Sequence, residues 1–205
     1  MTISYPLSIP DHTQLKSVTL EEMNAVTRKR SQMSYASDSQ DWGGRAWRIT
    51  AETVPLTRAE VRPWQAFISS LYGSKYTFLM GDVSSYTPGG EAGGTPLVNG
   101  GGQTGTELII DGGTANQTGW LLAGDYIQLG SGSTSRLYRV LRDADTGTGG
   151  AVTLDLWPKL RSAPSDNDPV VVTNAMTVLN LVDSDIAHDR TQDMYVVAFE
   201  AIEAL

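Results

Sequence analysis

Eleven glycines fall between Gly89 and Gly119, and the stretch "PGGEAGGTPLVNGGGQTG" inside that span carries a single charge. Such a segment cannot build a core alone. Glycine brings no apolar side chain and loses the most conformational freedom on ordering. Residues 85–105 therefore read as a flexible loop. One short strand signal, "TELIIDG" (106–112), interrupts the run. The glycine-rich stretch separates two regions of different character, and any fold must accommodate that division.

Residues 120–175 read as β throughout. "GWLLAGDYIQLG" is a strand, a Gly-Asp turn and a strand; "SRLYRVLRDAD", "AVTLDLWP" and "DNDPVVVTN" follow, with "TGTGG" as a turn. Short strands with turn signals about every ten residues suggest a small barrel or sandwich. Upstream, "AVTRKRSQMSYAS" (25–37) is polar and alternating enough for a strand. "RAWRITAETVPL" puts Trp47, Ile49, Ala51 and Thr53 on one face, the period-2 pattern of a half-buried strand. The one convincing helix follows. Thr57 and Glu60 have capping-box spacing; Trp64, Phe67, Ile68 and Leu71 share a helical face; Gly73 marks a stop. Pro63 predicts a kink, or a later start with the proline in the first turn. "KYTFLMG" then reads as a strand.

The final segment, 176–205, holds two more strand candidates. In the second, Tyr195, Val197, Phe199 and Ala201 alternate with Val196, Ala198, Glu200 and Ile202, so both faces are fairly apolar and an interior strand is expected. This piece is too short to fold alone, and its natural partner is 1–83. The expectation is one domain from residues 1–83 plus 176–205, interrupted by an inserted β domain over 84–175.

The 205 residues contain no cysteine, which excludes disulfide and thiolate chemistry. No run of about 18 apolar residues suggests a membrane helix. "MTISYPLSIPDHTQ" lacks the layout of a signal peptide, so synthesis and assembly in a cytoplasm are expected. The net charge of −8 divides as +1 in 1–83, −4 in 84–175 and −5 in 176–205. That balance disfavours phosphate-backbone binding, and "RKR" at 28–30 is too short to reverse it.

No catalytic or metal constellation stands out. His12 and His188 sit in turn-like stretches without metal-ligand spacing, and no GxSxG accompanies His188–Asp189. "GSGSTS" (130–135) lacks the lysine and helix of a phosphate loop, so it reads as a hairpin loop. The pairs Asp143/Asp145, Asp166/Asp168 and Asp183/Asp185 lack calcium-loop spacing. Asn116-Gln-Thr118 matches a glycosylation sequon, which matters only on secretion. No enzyme activity and no cofactor are expected; a two-carboxylate glycosidase would rest on arbitrary acids. For binding, Trp120, Tyr138 and Trp157 are the candidate saccharide or partner contacts, with core packing as the alternative for the two tryptophans.

The insertion resembles an OB-fold barrel, and the chain as a whole resembles the distal tail proteins of long-tailed bacteriophages, in the larger form with an OB-like insertion. "RAWRITAETVPLTRAEVRPWQAFISSLYGSKYTFLM" carries the likeness in the first region. "TELIIDGG", "LLAGDYIQLGSGSTSRLYRVLRD" and "VTLDLWPKLRSAPSDNDPV" carry it in the insertion; Leu-Trp-Pro-x-Leu and Ala-Gly-Asp-Tyr are its most specific pieces. The resemblance implies a mainly β fold with one helix, a β-sandwich ring domain and an outward barrel. It implies a virion protein of the tail tip: a homohexameric ring joining the tail tube to the central hub or fibre around the DNA exit channel. Side fibres or host saccharides would be further partners, and a carbohydrate-binding module is the alternative function. In that setting Trp157–Pro158 would end a barrel strand, with the indole filling a tapering corner.

Overall fold

The computed structural model describes residues 3–183, 188–191 and 194–205. The chain is mainly β, and its strands form two sheets. The strands are β1 (Leu7–Ser8), β2 (Leu15–Arg30), β3 (Ser37–Thr53), β4 (Thr77–Met80), β5 (Gly94–Val98), β6 (Glu107–Gly113) and β7 (Tyr126–Leu129). Then come β8 (Arg136–Val140), β9 (Val152–Trp157), β10 (Val170–Val171), β11 (Thr177–Leu181), β12 (His188–Thr191) and β13 (Met194–Glu203). The single α-helix among the described residues, α1 (Arg58–Leu71), lies between β3 and β4.

The first sheet runs β1-β4-β11-β13-β3-β2, with β12 also paired to β13. β13 lies between β11 and β3, the interior position expected, but only one of its faces is buried. Val197, Phe199 and Ala201 are covered while Ala198 is exposed, so an antiparallel strand with one solvated face holds the place that a doubly buried one was expected to hold. The chain's two ends thus build one mixed sheet, where two packed sheets were expected from the sandwich reading. Its apolar face takes α1. Trp64, Phe67, Ile68 and Leu71 meet Ile49, Ala51, Phe78, Leu179, Val197 and Phe199 in a single core. The reason is periodicity: residues three and four apart share a helical face, while alternate strand residues share a sheet face. Opposite, Arg48 pairs with Glu200 at 3.0 Å and Lys16 with Glu52 at 2.8 Å.

α1 begins as its sequence predicts. Thr57 is the N-cap of a capping box, and Glu60 Oε2 accepts from the Thr57 backbone N–H at 2.8 Å and its hydroxyl at 2.7 Å. Pro63 sits inside the helix without displacing its start. The carbonyl that loses a donor belongs to Ala59; both residues are exposed, so water can satisfy it. The helix ends one residue earlier than the glycine signal, because Tyr72 already turns left-handed (φ 50°), followed by Gly73 (φ +68°). Residues 25–37 are likewise more than a strand. β2 ends at Arg30, and Ser31–Ala36 form the tip of a β2–β3 hairpin, closed by Ser31 N–H to Ala36 O at 2.8 Å.

The second sheet runs β10-β7-β8-β9-β6-β5. Its edges meet, as Val98 N–H donates to Asp168 O at 2.9 Å and Leu97 bridges Pro169, so the sheet is nearly closed and barrel-like. Val98, Leu108, Ile110, Ile127, Tyr138, Val140, Leu154 and Leu156 fill it. The glycine-rich run is an integral part of this barrel, against the expectation of a flexible loop. β5 lies within it, and Asp125 accepts the backbone N–H groups of Gly89 (2.7 Å), Gly90 (3.1 Å) and Leu122 (2.8 Å). Glycine serves close backbone approach there: a Cβ on Gly90 would lie 2.5 Å from Trp120 O.

Two connections join the sheets, and they touch. A Cβ on Gly81 would stand 1.9 Å from Ala175 O. Gly81→Ala is therefore expected to destabilise the chain by at least ~2 kcal/mol. Urea denaturation of the variant beside Gly43→Ala is the check, because a Cβ on Gly43 meets nothing within 4 Å and its cost comes from its φ of +76° alone.

Candidate functional site

The junction between the two sheets is built on β3. Trp47 shares a face with Ile49 and Ala51, but lies beyond the reach of α1 and packs beneath the barrel-like sheet with Tyr126, Leu137 and Ala175. Its indole N–H donates to Leu137 O at 2.8 Å. Trp157 meets it edge-on at 4.5 Å and Tyr126 at 5.9 Å. The Arg139 guanidinium lies 5.2 Å from the Trp47 ring centre and 4.9 Å from that of Tyr126, while bonding the Tyr126 hydroxyl and Glu22. Burial raises the Tyr126 hydroxyl above the usual tyrosine range, and its bond to Arg139 opposes that shift.

A buried ion pair completes the junction. Glu203, on the same face of the first sheet, accepts from Arg161 Nη2 at 2.5 Å and from the Trp47 backbone N–H at 3.3 Å. The glutamate side chain is fully buried and that of Arg161 is 13% exposed. No local spacing signals this pair, because 42 positions separate its members.

The three aromatic contact candidates have separate fates. Trp120 is 0% exposed, inside the barrel core, donating to Gly93 O at 2.8 Å. Tyr138 is 1% exposed; its hydroxyl accepts the Arg161 backbone N–H at 3.0 Å, and burial raises its pKa. Neither offers a ring face to solvent, so no platform forms from the three. Trp157 lies outside the barrel, against the expectation that it fills a barrel corner. Val152, Leu154 and Leu156 point inward, so the period of two turns Trp157 toward Trp47. Its indole N–H meets Asn24 Oδ1 at 3.3 Å.

Other motifs settle into structural work. Asp143 and Asp145 accept the backbone N–H groups of Ala123 and Gly119, and Asp166 and Asp168 those of Gly100 and Ser165. "GSGSTS" spans the β7–β8 connection, with a 3-10 turn at Gly132–Thr134. His12 lies in an exposed 3-10 turn, stacked on Tyr86 at 5.8 Å. His188 starts β12 instead of a turn, and Asp185 of the Asp183/Asp185 pair lies outside the described residues. Among the described residues, no group of three or more His, Asp or Glu side chains could hold a metal ion.

The most conspicuous exposed feature is the outer half of the β2–β3 hairpin. Every residue from 24 to 44 is exposed. Beyond a bulge at Asn24/Val26, five register pairs from Val26↔Asp41 to Arg30↔Ser37 carry the arm outward, roughly 20 Å at strand rise. Met33 is 96% exposed at the tip, with Tyr35 and Trp42 at 70%. Arg28, Lys29 and Arg30, less Asp38 opposite Lys29, give the hairpin end 28–39 a charge of +2, which leaves −10 for the rest of the −8 chain.

Comparison with protein-family models and with curated proteins found no match to this chain. Its function is therefore argued from its own residues.

Two measurements probe the junction and the arm. Arg161→Ala leaves the Glu203 carboxylate buried without its cation, and a loss of ~3 kcal/mol in chemical denaturation is expected, partly regained in Arg161→Ala/Glu203→Gln. On the arm, Arg45 bonds Asp41 and holds its carboxyl down to about 2. The folded value is depressed, so the pair's contribution is present above the ordinary carboxylate pKa of ~3.9 and lost as pH falls through about 2. Carboxyl NMR titration should place the Asp41 midpoint near 2, and Arg45→Ala should raise it toward the ordinary value.

Proposed function

We propose that this chain is a self-assembling structural subunit, a distal tail ring protein of a long-tailed bacteriophage that joins the tail tube to the tail-tip hub. The observation that carries the reading is the projecting β2–β3 arm. A two-stranded hairpin is marginally stable in water by itself, and its edges offer unpaired N–H and C=O groups to any neighbouring strand. Here the outer half also exposes Met33, Tyr35 and Trp42. Such an arm is suited to lie on another subunit. The partner fitted by charge is a second copy: a tip of +2 faces a remainder of −10.

The rest of the plan suits an adaptor. The seven-stranded sheet and helix would form the ring body, and the barrel-like sheet, held by the Trp47 junction, would stand as the inserted OB-like lobe. In this reading the protein assembles in the host cytoplasm and resides in the virion. The saccharide-module alternative gains no support from Trp120 or Tyr138, whose rings are buried.

Native mass spectrometry tests the assembly. A homohexamer of the 22.1 kDa chain has a mass of about 133 kDa. The chain with residues 25–44 replaced by a two-residue turn should stay monomeric while keeping its far-UV spectrum. A wild-type chain that is monomeric at high micromolar concentration and is also missing from purified tails would defeat the reading.

A further inference from the structure

A second site lies where the barrel-like sheet meets the end of β13. Arg136, Lys159 and Arg161, three of the five basic residues in 84–175, line one cleft of about 510 Å³. Thr134 and Ser162 place hydroxyl-bearing side chains on its wall. The chain is acidic overall, so a convergence of three cations here runs against its composition.

Arg161 is the centre of the site. Glu203 holds its Nη2 at 2.5 Å, and the Tyr138 hydroxyl holds its backbone N–H at 3.0 Å. Its Nε is buried and finds no hydrogen-bond partner among the described residues. A buried charged donor without an acceptor is costly, and a ligand in the cleft would meet the guanidinium at its other nitrogens. Arg136 donates to the backbone carbonyl of Ser135 at 2.9 Å and so lies along the wall with its charge uncompensated by that bond. Lys159 is exposed at the mouth.

Charge and geometry together indicate the ligand class. Three cations less the paired Glu203 and the α-carboxylate of Leu205, which lines the same cleft, leave a net positive charge that calls for an anion. Among anions, phosphate is favoured by geometry, because guanidinium groups match its oxygens. Of the two neighbouring acids, Asp41, near Lys159, is ion-paired with Arg45, while Asp168, beside Arg136 in the adjoining cleft, accepts only the neutral Ser165 N–H at 2.7 Å. We propose that the Arg136–Lys159–Arg161 cleft binds a phosphate group, free or as a monoester. Tyr138 is then a positioning residue, setting the backbone of Arg161 from inside the barrel. The proposal is independent of the ring reading, since the cleft lies within one chain.

Isothermal titration calorimetry on the full chain tests it, with inorganic phosphate and glycerol 3-phosphate as probes, acetate as the monovalent control, and ionic strength held constant with sodium chloride. The expected result is saturable one-site binding of at least one phosphate probe, with acetate about tenfold weaker or more. Lys159→Ala and Arg136→Ala should each weaken binding by about tenfold while the circular dichroism spectrum is unchanged. Binding of inorganic phosphate alone assigns the site to the free ion, and binding of the ester assigns it to a phosphorylated ligand. No heat from either probe, equal heat from acetate, or undiminished affinity in both variants overturns the proposal.

Discussion

Everything else in this molecule depends on one side chain that two sheets share. Trp47 belongs to the first sheet by register and to the second by contact. A buried tryptophan brings a large apolar area and one donor that needs an acceptor, and here the acceptor is a backbone carbonyl of β8. The indole therefore fixes both distance and orientation between the sheets. Arg139 above it and the Arg161–Glu203 pair beside it add charge-assisted bonds that an apolar contact alone would lack. The ion pair itself is costly to desolvate, so its value lies in specifying one docking geometry more than in raw stability.

A rigid junction leaves two features facing outward. One is the hairpin arm, whose inner half is held by the sheet and whose outer half has only its own partner strand. The other is the cationic cleft, which exists because the loop after β9 is pinned by Tyr138 and Glu203. Both place positive charge on an acidic protein. In each case the local sign opposes the global one, and that contrast favours a directed encounter over nonspecific adhesion.

Glycine use follows the same economy of space. Asp125 gathers three backbone N–H groups because the segment opposite it, Gly89–Gly90, has no side chains in the way. Composition presented this region as unfoldable by itself, which is sound for an isolated chain. Set against a neighbouring barrel, the same glycines become the residues that permit contact. The signal for that outcome was present in the Ala-Gly-Asp-Tyr turn, whose aspartate has the geometry to cap nearby N–H groups.

Local patterns were enough for the helix, its capping box, the shared face of Trp47, Ile49 and Ala51, and the interior placement of β13. They work because hydrogen bonding and side-chain period are set by neighbours within a few residues. Strand pairing, the joining of both chain ends in one sheet, and the fate of each aromatic were not accessible that way. Leu156 and Trp157 are adjacent, yet one fills a barrel and the other meets a tryptophan 110 positions upstream. Residue type and spacing determined many of the strand segments and their apolar faces, but β5, inside the glycine-rich run, escaped them. Tertiary structure alone decided which faces met, because the free energy of burial belongs to the pair of surfaces and not to either sequence by itself.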